Sequence, residues 1–209
     1  MSLSIPRFYA ILDAAQIGGR PPVAICGILL AAGVRLIQYR DKQGSSRQLY
    51  ETCCQLGGQV RRAAGIFIVN DRADVARAAG ADGVHLGQED LPVELAHRVL
   101  EPGKWVGYST HSLSQVREAD PSAADYIAFG PIFSTQSKEK PDPVVGLDGL
   151  REARQATCKP LVAIGGITLE NVREVIAAGA DSVAVIAALL TAPDIGERAR
   201  EFLRVLGNS

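Results

Sequence analysis

The chain is expected to fold as a single-domain α/β protein, a closed (β/α)8 TIM barrel, and three observations point there. About eight short β-branched runs recur at a spacing of roughly 26 residues, which leaves room for one helix between each pair. A repeated Ala-Ala-Gly unit, at Ala31-Ala32-Gly33, Ala78-Ala79-Gly80 and Ala177-Ala178-Gly179, stands just ahead of a strand each time. Finally, no linker-like stretch interrupts the 209 residues, a length near the usual size of one domain. Unbroken β and α alternation of this kind favours a closed barrel over an open doubly wound sheet.

The strand candidates in order are Phe8 to Leu12, Val34 to Gln38, Ile66 to Val69 and Gly83 to Leu86. They continue with Trp105 to Tyr108, Asp125 to Phe129, Leu161 to Ile164 and Ser182 to Val185. Between them, Ser46 to Ala63 carries Leu49, Cys53, Leu56 and Val60 at helical spacing. Thr168 is read as an N-cap before Val172, Val175 and Ile176. The Ala-Ala-Gly units place glycine where a helix ends in a left-handed turn. Phe133 to Val145 is too long and polar for a minimal connection, so residues 133–145 are read as an active-site loop.

Composition limits the function classes. Hydrophobic residues make up 47% and charged residues 22%, which excludes disordered, collagen-like and coiled-coil classes. Lys+Arg 22 against Asp+Glu 23 gives a net charge of -1 and no long basic cluster, so neither nucleic acid nor an anionic membrane is an expected partner. Cys26, Cys53, Cys54 and Cys158 form no metal-binding or disulfide spacing and read as small apolar residues in a reducing compartment. The first residues carry no secretory pattern, and no apolar run approaches the roughly 20 residues of a membrane span. A soluble cytoplasmic protein is expected.

Catalytic groups of such barrels sit where strands end. The second strand runs into Gln38-Tyr39-Arg40-Asp41-Lys42, and alternation puts Gln38, Arg40 and Lys42 on one face. Two cations and an amide there suit a multiply charged phosphate, or form a solvated strand end paired to local acids. Asp71 and Asp90 follow the third and fourth strands, close enough to share one Mg²⁺. Glu89 competes with Asp90 for that role, and Asp71 is also placed to cap a helix near Arg72.

The fifth strand delivers Ser109-Thr110-His111, but no acid stands in sequence to orient His111, so a substrate-binding hydroxyl is favoured over a nucleophile. His85 reads as a satisfied core group behind the site and His97 as surface. Ser134, Thr135, Gln136, Ser137 and Lys138 fill the long loop with hydroxyls, an amide and an ammonium. Gly165-Gly166 after the seventh strand and Ile186-Ala187 after the eighth suit a backbone-amide phosphate cup. No Gly-x-Gly-x-x-Gly after the first strand and no Walker A sequence is present. Two anion-holding regions across one barrel mouth imply two phosphorylated ligands.

In order along the chain, these motifs resemble the thiamine phosphate synthase family. The matching segments are Gln38-Tyr39-Arg40-Asp41-Lys42, Asn70-Asp71-Arg72, Gly83 to Asp90, Ser109-Thr110-His111, Phe129 to Phe133, Thr135 to Lys138, Ala163 to Ile167 and Val183 to Ile186. The resemblance implies a transferase that condenses hydroxymethylpyrimidine diphosphate with thiazole phosphate, forming thiamine phosphate and pyrophosphate by a dissociative, Mg²⁺-assisted substitution. It implies that Gln38, Arg40, Lys42, Asn70, Ser109 and Lys138 hold the pyrimidine diphosphate. Arg40, Lys42, Ser109 and Lys138 are the catalytic set among them, with Asp71 and Asp90 as Mg²⁺ ligands. Thr135, Gln136, Ser137, Gly166, Ile186 and Ala187 would line the thiazole phosphate side.

Ser134 stands where the family often has proline, Ser137 where it has threonine, and Ala187 where serine is common. The last exchange bears on thiazole phosphate affinity. The alternatives are a thiazole tautomerase-like barrel, which has no need of the diphosphate and metal set, and a ligand-binding regulator without turnover. A homo-oligomer is left open.

Overall fold

The computed structural model describes residues 4–135 and 142–207. Eight parallel strands, β1 (Phe8–Asp13), β2 (Leu36–Arg40), β3 (Ile66–Asn70), β4 (Gly83–Leu86), β5 (Trp105–Thr110), β6 (Tyr126–Phe129), β7 (Leu161–Ile164) and β8 (Ser182–Val185), close in sequence order, with β8 pairing back onto β1. Around them run α1 (Pro22–Ala31), α2 (Ser46–Arg62), α3 (Ala73–Ala78), α4 (Val93–Val99), α5 (Leu113–Ala119), α6 (Gly146–Ala156) and α7 (Val172–Ala177). The short α8 (Ala187–Leu190) and α9 (Ile195–Val205) complete the chain. Among the described residues, no helix is long and apolar enough to cross a membrane.

Alternation along each strand divides the core in two. Tyr9, Ile11, Leu36, Ile68, Tyr126, Ala128, Val162 and Ala184 fill the barrel interior as one cluster. Their sequence neighbours, such as Phe8, Ile37, Phe67, Ile127 and Val183, pack outward against the helices. The interior also needs empty positions. A Cβ on Gly107 would lie 2.0 Å from Tyr126 Cζ, so glycine there is the space into which the Tyr126 ring fits.

A recurring clasp sets the register at the N-terminal rim. Asp82, Asp125 and Asp181 each stand one residue ahead of an even-numbered strand. Each carboxylate accepts a backbone N–H from the first or second residue of the preceding strand: Phe67 at 2.9 Å, Val106 at 2.7 Å and Leu161 at 2.8 Å. The backbone N–H of each aspartate returns a bond to the carbonyl of that same residue, at 2.8 to 2.9 Å.

Some element boundaries differ from the sequence reading. Val34 belongs to the turn closing α1, because its N–H bonds to Leu29 O at 3.0 Å, so β2 begins at Leu36 and continues to Arg40. The strand after Asp125 starts at Tyr126, since the Asp125 side chain is spent on the clasp. Strand β5 reaches Thr110, and α2 ends at Arg62. Helix α2 opens with a capping box in which Ser45 Oγ accepts from Gln48 N–H and Gln48 Oε1 accepts from Ser45 N–H. Thr168 does not cap α7. Its N–H is taken by Asn171 Oδ1 at 2.8 Å in a turn that precedes the helix.

The three Ala-Ala-Gly glycines, Gly33, Gly80 and Gly179, all have positive φ. Cys26 and Cys53 are buried, whereas Cys54 is only half-buried and Cys158 is exposed, so the apolar reading holds for two of the four. His97 lies on α4 at the surface, as expected, with its Nε2 2.8 Å from Ala123 O and 3.5 Å from Asp125.

Removing one clasp leaves a buried N–H without a partner, at a cost of about 1–3 kcal/mol. Asp82→Ala is expected to lower unfolding stability by that amount in urea denaturation with an unchanged m-value. A loss under about 0.5 kcal/mol would show that the clasp does not hold the register.

Candidate active site

A cavity of about 400 Å³ opens at the C-terminal ends of the strands. One wall carries Gln38, Arg40, Asn70 and Ser109; the opposite wall carries Gly166, Ile186 and Ala187. Ser134, Thr135 and Asp142, all from the 133–145 segment, also line the cavity. Gln136, Ser137 and Lys138 lie outside the described residues.

Strand alternation brings Gln38 and Arg40 to the same face, as expected, but the pattern stops there because β2 ends at Arg40. Lys42 lies beyond the strand, and its side chain is 54% exposed and outside the cavity lining. Arg40 pairs with Asp13 across the β1–β2 register, Nη1 to Oδ2 at 2.5 Å. Asp13 is buried to 1% exposure, and its other oxygen accepts the Ala15 N–H at 3.0 Å. A buried carboxylate with both oxygens engaged locks one arm of the guanidinium and leaves its other N–H donors for a ligand. Asp13 was missed in the sequence. The signal was available, because it ends the first strand as Arg40 ends the second.

The acidic pair forms a second cluster beside this wall. Lys42 Nζ lies 2.7 Å from Asp71 Oδ2. Asp71 has φ of 61°, a left-handed conformation that aspartate tolerates better than most residues. It does not cap α3, which begins at Ala73 after an N-cap at Arg72. Asp90 Oδ2 accepts the Gly87 N–H at 2.6 Å. Burial, and then the Asp71 carboxylate beside it, raise the Asp90 carboxyl above its ordinary pKa. Asp71 and Asp90 thus face each other as the sequence suggests, although neither lines the cavity itself.

Ser109 and His111 part company in the structure. Ser109 Oγ lies 2.9 Å from His85 Nε2, so the serine's histidine partner is His85 on β4. Thr110, which lies between Ser109 and His111, is buried and donates to Ala128 O. His111 Nδ1 donates to Gly130 O at 2.7 Å and lies 3.6 Å from Asp142 Oδ2. An acid does therefore stand beside His111, contrary to the sequence reading, because Asp142 is distant in sequence and arrives by the fold. His85 has its hydrogen bonds met, as expected, yet both histidines line the cavity.

At β7 and β8 the paired glycines have a steric purpose. Gly165 and Gly166 both have positive φ, 98° and 65°. A Cβ would come within 2.5 Å of Pro131 Cβ at the first and 2.6 Å of Ser134 O at the second. The glycines let the loop leaving β6 lie directly on the end of β7, besides leaving backbone open to the cavity. Asn171 Nδ2 donates to Gly166 O at 3.0 Å and holds this turn.

With this geometry in view, comparison with known proteins is specific. Residues 8–189 match the family model described as thiamine monophosphate synthase. A thiamine-phosphate synthase of Koribacter versatilis is 52% identical over 208 residues, covering 98% of this chain and 97% of the relative. One from Chloroflexus aurantiacus is 44% identical over 200 residues, covering 96% and 92%. The solved thiamine phosphate pyrophosphorylase from Pyrococcus furiosus superposes with a TM-score of 0.87 at 36% identity, covering 96% of this chain and 95% of that one.

The Asp71–Asp90 contact predicts a measurable pH effect. A carboxyl whose folded pKa is raised weakens the folded state while ionised and ceases to do so once protonated. Asp90→Asn keeps an oxygen for the Gly87 N–H and removes that penalty. In metal-free buffer at pH 7 its Tm is expected above that of the parent. The difference should close as pH falls through the raised carboxyl pKa toward about 4. A Tm gap that widens toward acid would rule out a raised Asp90 carboxyl.

Proposed function

The chain belongs to the thiamine monophosphate synthase family, and from that premise we propose that it joins hydroxymethylpyrimidine diphosphate to thiazole phosphate. It is an enzyme of the transferase class. The observation that carries the site assignment is the two-sided cavity, with Gln38, Arg40, Asn70 and Ser109 facing Gly166, Ile186 and Ala187. A diphosphate suits the first wall and a monophosphate the open backbone of the second.

The bond that breaks joins the pyrimidine methylene carbon to a diphosphate oxygen, and its electron pair leaves with pyrophosphate. The aminopyrimidine nitrogen lone pairs spread the resulting positive charge, and the thiazole nitrogen then attacks the methylene carbon. Arg40, oriented by Asp13, meets the leaving oxygens with donors that need no reorganisation as charge grows. Ser109 adds a hydroxyl and Lys42 contributes positive charge at the rim, while the family resemblance assigns a further positive charge to Lys138. From the 133–145 segment, Ser134, Thr135 and Asp142 line the cavity, and the family resemblance assigns Thr135, Gln136 and Ser137 to the thiazole phosphate. No enzyme nucleophile is needed, and Ser109 Oγ, 2.9 Å from His85 Nε2, serves as a ligand-binding hydroxyl.

The acidic pair fits a divalent cation. Among the described residues no group of three or more His, Cys, Asp or Glu side chains is placed to hold a metal. Two facing carboxylates are what Mg²⁺ uses when water and phosphate oxygens fill its other positions. Asp71 and Asp90 would hold it, with Lys42 balancing Asp71. When bound, Mg²⁺ supplies neutralisation of the diphosphate charge. All four cysteines are free thiols, which supports a cytoplasmic setting for the reaction.

Pyrophosphate release is expected only when both substrates and Mg²⁺ are present, and a chelator should abolish it. Asp71→Ala should lower turnover by about a hundredfold or more with the far-UV spectrum unchanged. Absence of pyrophosphate release from the parent protein, with interconversion of thiazole phosphate isomers instead, would overturn the synthase reading.

A further inference from the structure

Below the cavity, a single file of polar side chains crosses the barrel interior. Gln38 Nε2 lies 2.6 Å from the Tyr9 hydroxyl, which lies 3.0 Å from the Tyr126 hydroxyl. Tyr126 Oη is 3.0 Å from His85 Nδ1, and His85 Nε2 is 2.9 Å from Ser109 Oγ. The file draws one residue each from β2, β1, β6, β4 and β5 in turn. Its two ends, Gln38 and Ser109, line the cavity, while Tyr9 and Tyr126 at its centre are buried to 1% and 0% exposure.

Burying two phenols, an imidazole and an amide together is costly unless every group finds a partner, and phenylalanine would fill the same space more simply. The packing is nonetheless built around them. A Cβ on Gly107 would strike Tyr126 Oη at 2.3 Å and His85 Nδ1 at 2.5 Å, so that glycine is what lets the phenol meet the imidazole. The Tyr126 and His85 rings also stack, with centroids 5.5 Å apart at an interplanar angle of 23°.

The file has a sense as well as a path. Each hydroxyl owns one proton, and an amide nitrogen can only donate. With Gln38 Nε2 giving its proton to Tyr9, the arrangement in which each phenol proton meets an acceptor of the file has Tyr9 give to Tyr126 and Tyr126 to His85 Nδ1. The imidazole then carries its proton on Nε2 and gives it to Ser109 Oγ. Burial raises both phenols well above their ordinary pKa, so each keeps the proton it passes along.

We propose that this is a one-way hydrogen-bond chain, running Gln38, Tyr9, Tyr126, His85, Ser109. It holds His85 as the Nε2–H tautomer and turns the Ser109 hydroxyl proton toward the ligand. Tyr9 and Tyr126 are positioning residues. The consequence for catalysis rests on the reaction proposed above. Gln38 keeps its Oε1 as an acceptor at one end and Ser109 gives a donor at the other, so the positive end of the chain lies at Ser109, where it would meet charge growing on the diphosphate. Hydrogen bonds in such a chain polarise one another, so a break at its centre is felt at both ends.

The test is ¹⁵N NMR of histidine-labelled, ligand-free protein at pH 8, where imidazole is ordinarily neutral, together with steady-state kinetics. The parent protein is expected to show His85 as the Nε2–H tautomer. Tyr126→Phe should lose that fixed tautomer and show both forms, with kcat down about tenfold and KM for each substrate within about twofold. Tyr9→Phe should keep the tautomer, because Tyr126 still donates to Nδ1, while lowering kcat through Gln38.

His85 found as Nδ1–H in the parent overturns the proposal, as does Tyr126→Phe with tautomer and kcat both unchanged. Should Tyr126→Phe fail to fold, the parent and Tyr9→Phe tautomers still decide the matter. The tautomer needs no turnover to be read, so loss of the synthase reading would show separately as a parent protein that releases no pyrophosphate.

Discussion

Closure of eight parallel strands in one register is the constraint on which the site depends. Because β8 pairs back onto β1, no strand can slip by one residue without exchanging its inward and outward side chains. The aspartate clasps at Phe67, Val106 and Leu161 act on this same register from the N-terminal rim. Gln38, His85, Ser109 and Tyr126 share the barrel interior only while that parity holds. The cavity and its polar floor are thus products of the hydrogen-bonded ladder before they are products of any individual side chain.

Charge is handled differently at two depths. Arg40 and Asp13 pair where Asp13 has almost no contact with solvent, and a carboxylate there is tolerable only because both oxygens are engaged. Lys42 and Asp71 pair at the rim, where Lys42 is more than half exposed and the bond is worth little to stability. Rim charges can exchange partners when an anion arrives, whereas the buried pair stays in place as a fixed electrostatic feature. Asp71 and Asp90, held together against their mutual repulsion, occupy the boundary between these regimes.

Much of the architecture was legible in the residues. The β-branched runs lie within or overlap all eight strands, and the Ala-Ala-Gly units fall on left-handed turns, because both signals come from local backbone preference. Errors fell where a specific hydrogen bond, in a turn or between strands, intervened. Val34 was drawn into the α1 turn by Leu29, Thr168 lost its capping role to Asn171, and the clasp took Asp125 out of its strand. Each is a tertiary or turn contact overriding a short-range preference.

By itself the sequence determined the barrel, the order of its strands and which strand ends carry amide, cation, carboxylate and glycine, since periodicity and residue type are local properties. Only the tertiary structure decided the partnerships. It set Asp13 on Arg40, His85 rather than His111 on Ser109, Asp142 beside His111, and Tyr9 against Tyr126, 117 positions further along the chain. Hydrogen bonds between side chains depend on angstrom-scale distances across the closed sheet, and no linear spacing encodes which inward residues will meet at its axis.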